Sequence, residues 1–414
     1  MNIWGLFRVC CMAIAILAAF APSAPESGRV IDAFTGKGIR GAIVTAGSET
    51  AGTDESGNFR IEAYGAPLMA RAVGYRASRA VEAGTSGSVI RLNQFKPRAL
   101  YLSFYGIGSA ALREPALDQI QKSDQLNALV IDVKSDRGLI PFKSGIPLAR
   151  EIGAEKITTI PDLPALLNRL HAAGVYAIAR IVVFKDEPLA SAHQDLAVKT
   201  TAGGVFRDRE NLAWTDPFRR EAWDYNIDIA EQAARAGFDE IQFDYMRFPD
   251  MQNARFSQAN TMQSRTAAIS GFLTEARRRL VPYNVYLSAD IFGYVCWNTD
   301  DTGIGQKLET ILPLVDYVSP MLYPSGFTFG IPGYRNPVEH PYEIVRLSLD
   351  RALARTHVSP LRFRPWLQAF KDYAFDRRVF DADQMEPQIT AADQFASDGW
   401  MIWNPRNVYT DIGL

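Results

Sequence analysis

Three cysteines and four histidines in 414 residues leave little material for disulfides or for a metal centre. Cys10 and Cys11 lie in the first two dozen residues, so only Cys296 remains beyond them, and a disulfide framework is excluded. A single buried cysteine then serves as a small hydrophobe. His171, His193, His340 and His357 are scattered and none ends a predicted strand, which argues against zinc or another His-built metal site; no cofactor is expected. The chain has no Walker sequence, no Gly-x-Ser-x-Gly elbow and no Gly-x-Gly-x-x-Gly after a strand, so nucleotide and serine-hydrolase chemistry have no support. Net charge is also missing. With 44 basic and 46 acidic residues, a balance of -2, neither nucleic acid nor an anionic membrane is an expected partner, and a neutral or mildly charged ligand fits better.

What is present is ordinary globular composition, 47% apolar and 22% charged, over a length that exceeds one small domain. Arg8, the apolar run from Val9 to Phe20 and the small-residue site from Ala21 to Ala24 follow the order of a secretory signal. The run is too short to span a bilayer comfortably, with an uncleaved anchor as the alternative. The expectation is a signal peptide over 1–24 and a secreted, periplasmic or envelope-associated bacterial protein without stable membrane insertion once the signal is cleaved. The oligomeric state leaves no trace in the sequence.

Residues 25–95 read as short alternating runs broken by Gly- and Thr-rich turns, the pattern of a small antiparallel sandwich. The segments Gly28 to Gly36, Ile39 to Val44 and Thr53 to Ile61, with the later Gly74 and Tyr75, resemble the carboxypeptidase regulatory-like family of prealbumin-type sandwiches. The resemblance implies an accessory module, a spacer or docking unit without catalysis of its own.

From residue 96 to 414 the pattern becomes apolar strands separated by amphipathic stretches. Eight strand candidates begin near Ala99, Ala128, Val175, Glu240, Val285, Asp316, Arg364 and Gly399, the number that closes a (β/α)8 TIM barrel. Asp216 and Pro217 read as N-cap and first position of a helix running to Ala236 and stopping at Gly237, and Pro161 to Ala173 reads as another, stopping at Gly174. The fold class expected is therefore α/β, a TIM barrel preceded by a small all-β prealbumin-like sandwich.

The strand ends carry the chemistry. The run from Gly237 to Pro249 (Gly-Phe-Asp-Glu-Ile-Gln-Phe-Asp-Tyr-Met-Arg-Phe-Pro) reads as a buried strand ending in a carboxylate, an aromatic and an arginine. Strand two offers Asp132 and Lys134, strand three Arg180, strand four Asp244 and Arg247, strand five Ser288 and Asp290. Strand six offers Tyr323, strand seven Trp366 and Gln368, and strand eight Trp403 with Asn404. Buried charges must be paired, so this set means an ion-pair network or a site, and its gathering at one barrel end favours a site. Two carboxylates on adjacent strands with aromatic rings around them suit glycoside hydrolysis. Asp244 would be nucleophile or electrostatic stabiliser, kept ionised by Arg180, Lys134 and Arg247. Asp290, in the more apolar Ser288 to Gly293 segment, would be the general acid. The substrate-binding set is Asp132, Lys134, Arg180, Tyr245, Arg247, Tyr323, Trp366, Gln368, Trp403 and Asn404, and the segments 185–215, 291–305 and 324–340 are long enough to wall a cleft.

These residues, with Thr215 to Phe218, Trp223 to Ala230, Ser288 to Gly293 and Val318 to Pro324, resemble a bacterial glycoside hydrolase family long carried as a domain of unknown function, distantly similar to α-amylase and α-galactosidase type barrels. The resemblance implies a barrel glycosidase acting on a poly- or oligosaccharide, with its nucleophile carried over to Asp244 at strand four. Amylase-type relatives have Glu where this chain has Asp290. The alternative is a non-catalytic barrel that binds polysaccharide or peptidoglycan at the cell envelope, since fold alone does not separate the two.

Overall fold

The computed structural model describes residues 25–82, 87–250 and 253–414; the signal expected over 1–24 lies outside the described residues. Two three-stranded sheets come first. One orders Asn58–Ile61, Glu26–Asp32 and Ser88–Leu92; the other orders Glu49–Gly52, Ile43–Ala46 and Leu68–Arg71. They share a core of Val30, Val44, Phe59, Leu68 and Ile90. The expected all-antiparallel pairing fails in one place, because Glu26–Asp32 and Ser88–Leu92 run parallel. The chain between these two strands passes through the second sheet, which lets them lie side by side in the same direction.

Eight parallel strands then close a barrel: β1 (Arg98–Leu102), β2 (Ala128–Lys134), β3 (Tyr176–Val182), β4 (Glu240–Asp244), β5 (Tyr286–Phe292), β6 (Tyr317–Met321), β7 (Trp366–Gln368) and β8 (Trp400–Trp403). β2, β3 and β4 are buried along their whole length, as strands covered on both faces must be, which explains their near-continuous apolar runs. Helix Arg220–Ala236 turns Trp223, Ile227 and Ala230 inward, and full burial of an isoleucine such as Ile227 contributes roughly 1.5–3 kcal/mol. It ends where Gly237 adopts φ 111°, a left-handed C-cap open to glycine without steric cost. It starts later than the sequence predicts, at Arg220. The Asp216 carboxylate is already accepting from the N–H groups of Phe218 and Ser257, so the chain completes a turn before entering the helix.

The N-terminal mouth of the barrel is sealed by the small sheets. Val73, Ala77 and Phe95 pack on the interior layer of Tyr176, Tyr286 and Tyr317. The Tyr286 hydroxyl lies 2.7 Å from the Tyr75 carbonyl and accepts from the Ala72 N–H at 3.2 Å, while the Tyr317 hydroxyl accepts from Gly74 N–H at 3.2 Å. Just inside, Arg364 pairs with Glu240 at 2.6 Å and Asp398 at 2.9 Å, and none of the three side chains is exposed. Among the described residues no helix is long and apolar enough to cross a membrane.

Candidate active site

The C-terminal mouth is built differently. β4 ends at Asp244 rather than continuing to Arg247, because Tyr245 adopts φ 49° and turns the chain out of the sheet. Ile241 and Phe243 face the helices, while Gln242 and Asp244 face the barrel interior, as strand alternation requires. The pairing of β4 with β5 runs through Phe243 and Ala289, so its continuation puts Asp244 level with Asp290 on the adjacent strand.

Arg180 on β3 is the hub. Its Nε and Nη2 donate to Asp244 Oδ2 at 2.9 and 2.6 Å, Nη1 donates to Asp132 Oδ1 at 2.7 Å, and Nη2 also reaches Asp136 Oδ1 at 3.0 Å. The guanidinium carbon lies 4.8 Å from the Trp403 ring, which stacks on Tyr101 at 4.0 Å. Tyr101 donates to Asp132 Oδ2 at 2.8 Å. Burial nevertheless outweighs the Arg180 charge at Asp132 and pushes its pKa up to about 6.

Asp290 is in a different state. Its Oδ1 accepts from Trp366 Nε1 at 2.8 Å, and its Oδ2 is buried with no hydrogen-bond partner among the described residues. Burial first, and then the negative charge of Asp244, push its pKa well above the usual carboxylate range. An ionised carboxylate with one oxygen buried and unpaired would be costly, so the neutral acid is the form this environment favours. Asp244, by contrast, has Oδ2 on Arg180 and Oδ1 on the Tyr245 N–H at 2.6 Å.

Two hollows meet above these residues. One, of about 240 Å³, is lined by Asp244, Tyr245, Arg247, Tyr294, Tyr323 and Tyr373, and its neighbour of about 220 Å³ by Lys185, Asp208, Trp214, Tyr245, Arg247 and Asp250. The first draws on the long segments after β5 and β6, the second on the segment after β3. A larger concavity of about 490 Å³, beside helix Ala382–Phe395 and the C-terminal residues, contains none of the strand-end carboxylates that converge on Arg180 and has no part in this arrangement.

Of the residues singled out in the sequence, Asp132, Arg180, Asp244, Asp290, Trp366 and Trp403 are brought together, with Tyr245, Arg247 and Tyr323 on the cleft wall. Three are not. Lys134 points out of the barrel: a bulge between Asp132 and Lys134 breaks the alternation, and the ammonium is fully buried against Asp186 at 2.6 Å, Asn226 and two backbone carbonyls. It therefore does not help hold Asp244. Gln368 is consumed by the turn at Ser325 and by the Phe370 carbonyl. Asn404 donates to the Ala369 and Val408 carbonyls beside a separate hollow. Asp136, absent from the predicted set, shares Arg180 Nη2 with Asp244, so the two carboxylate oxygens lie within about 6 Å, and its side chain is 38% exposed. The available signal was its place in the turn just past a strand end. Among the described residues no group of three His, Cys, Asp or Glu is arranged to hold a metal.

A closed parallel barrel with carboxylates converging beneath an aromatic cleft at its C-terminal end defines a barrel of the glycoside hydrolase kind. The chain belongs to the family described as "Putative glycosyl hydrolase domain", whose model matches residues 99–409. Among solved structures, a hypothetical protein from Ruminiclostridium thermocellum is 38% identical over 46% of this chain and 96% of that one, with a TM-score of 0.40. The glycoside hydrolase domain of PgaB (BpsB) from Bordetella bronchiseptica is 17% identical over 76% of this chain and 95% of that one, with a TM-score of 0.54, a likeness of fold. The catalytic domain of a β-amylase from Paenibacillus polymyxa is 11% identical over 77% and 94%, with a TM-score of 0.48. No curated protein matches the chain.

Proposed function

We propose that the protein hydrolyses glycosidic bonds of a poly- or oligosaccharide, with Asp244 as nucleophile or electrostatic stabiliser and Asp290 as general acid. The observation that carries this reading is the unequal state of two neighbouring carboxyls. Asp244 is held by the Arg180 fork and a backbone N–H, the setting of an anion able to face developing positive charge at the anomeric carbon. Asp290 retains its proton by burial and by the charge of Asp244, the setting of a group that protonates a leaving oxygen. Tyr245, Tyr294 and Tyr323 offer faces on which sugar rings stack.

One observation favours a second assignment of the acid. Asp136 is the most open carboxylate on Arg180, whereas Asp290 is only 1% exposed. Reducing-end release from a panel of polysaccharides separates the assignments. Asp244→Asn and Asp290→Asn should each lose several orders of magnitude in kcat; an active Asp290→Asn beside a dead Asp136→Asn transfers the acid role to Asp136. An inert parent that still binds glycan, with both variants binding alike, identifies a binding barrel instead. Export to the periplasm, the cell envelope or the medium rests on the order of residues 1–24, and the carboxypeptidase regulatory-like identity of the small sheets on the Gly28 to Ile61 motifs.

A further inference from the structure

Among the described residues Arg247 is a cleft cation without an ion-pair partner, and unlike the exposed Arg209 of the adjoining hollow, which is also unpaired, it is held in place. Arg180 is shared by three carboxylates, and Lys185 in the adjoining hollow pairs with Asp208 at 3.3 Å and Glu210 at 3.1 Å. No carboxylate lies within ion-pair distance of Arg247 among the described residues, and its one hydrogen bond is from Nη1 to the Phe248 carbonyl at 3.1 Å. Asp244 does not supply the missing charge: its contacts are to Arg180 and the Tyr245 N–H, and it makes no ion pair with Arg247.

The guanidinium is nonetheless held in place. Its carbon lies 5.0 Å from the Trp214 ring and 5.0 Å from the Tyr245 ring. Trp214 is itself anchored by donating to Asp208 at 3.0 Å, and the left-handed turn at Tyr245 sets the second ring. Ring contacts stabilise a cation without consuming its in-plane N–H groups, so the donor fork stays available. Arg247 also lines both hollows, on the ridge between them beside Asp244.

We propose that Arg247 forms a subsite for a carboxylate-bearing sugar, so that the glycan bound across the two hollows is acidic, carrying a uronic acid residue next to the scissile bond. A planar fork of donors matches a carboxylate in two-point geometry, whereas neutral hydroxyls leave its charge unanswered. The proposal deepens the hydrolase reading and rests on it for the position of the bond cut, but the subsite is testable by binding alone.

The test uses the full chain and three probes, polygalacturonate, polymannuronate and polyglucuronate, each beside its carboxyl-reduced form, which keeps the linkage and removes the charge. Binding is measured by calorimetry on the Asp244→Asn protein, and kcat and KM on the parent. At least one acidic probe should bind about tenfold or more tightly than its reduced form, and Arg247→Gln should collapse that ratio through KM, with Arg247→Lys recovering part of it. Equal handling of acidic and reduced forms, an equal loss on both in Arg247→Gln, or no binding of any acidic probe overturns the subsite. Should Arg247→Gln not fold, Arg247→Lys and the parent's own acidic-to-reduced ratio decide the matter. Arg247-dependent binding of an acidic probe without cleavage of any polymer would retire the hydrolase reading and leave the subsite standing. Cleavage without charge preference does the reverse.

Discussion

The two ends of the barrel each bury an arginine among carboxylates, and they differ in what surrounds the cluster. At the N-terminal end Arg364, Glu240 and Asp398 have no exposed side-chain surface, Arg364 lies 4.1 Å from the Tyr317 ring, and the segment from Arg71 to Ala77 covers the mouth. At the C-terminal end Arg180 is equally buried, but one of its carboxylates opens to solvent, another lines an aromatic hollow, and the neighbouring Asp290 keeps an unpaired oxygen. A buried Arg–carboxylate cluster is therefore not in itself the mark of a site. Each end keeps one buried carboxylate oxygen without a partner among the described residues, Asp398 Oδ1 and Asp290 Oδ2, so the distinguishing feature is the cleft that opens beside the second cluster.

The comparison breaks most visibly at the sealed end. Arg364→Met leaves Glu240 and Asp398 buried without their cation, and denaturant unfolding should show a loss of about 3–5 kcal/mol. A loss below 1 kcal/mol would mean that this cluster is not structural. Tyr286→Phe removes the hydroxyl that ties the barrel floor to Ala72 and Tyr75, and should cost about 1–2 kcal/mol in the same assay without changing KM.

At the open end, pH sharpens the contrast. Asp132 has a folded pKa of about 6 against an ordinary 3.8, so the native state binds its proton more tightly. That contribution to stability is complete below about pH 4 and is lost as pH rises through about 6. The difference in unfolding free energy between wild type and Asp132→Asn should shrink in wild type's disfavour across that window; a flat difference contradicts the assignment. The smallest stability change is expected for Asp136→Asn, under about 1 kcal/mol because the carboxylate is partly solvated, although kcat/KM should fall measurably.

Much of this was legible in the sequence because the barrel repeats a simple grammar. Continuous apolar strands, a helix stop at Gly237 and Asp244 on the inward face of β4 all follow from periodicity and local cap chemistry. Four things were not legible. The β2 bulge is a register event between strands, and it alone decides that Asp132 faces in while Lys134 faces out. Gln368 and Asn404 sit at strand ends like true site residues, but their amides are taken by nearby backbone and by Ser325, which no spacing reveals. Asp136 lies in a turn where a carboxylate ordinarily only caps backbone, and its meeting with Arg180 depends on the barrel having closed. The seal at the barrel floor was equally hidden, since its contacts join residues more than 200 positions apart.

We propose that the open end is catalytic and that Asp244 is its essential anion. The most direct test is reducing-end release per folded molecule for the parent and Asp244→Asn on the same polysaccharide, with unfolding followed in parallel. The variant should lose about 10⁴-fold in kcat while its cooperative unfolding is retained. An Asp244→Asn protein that is folded and cleaves at the parental rate would contradict it.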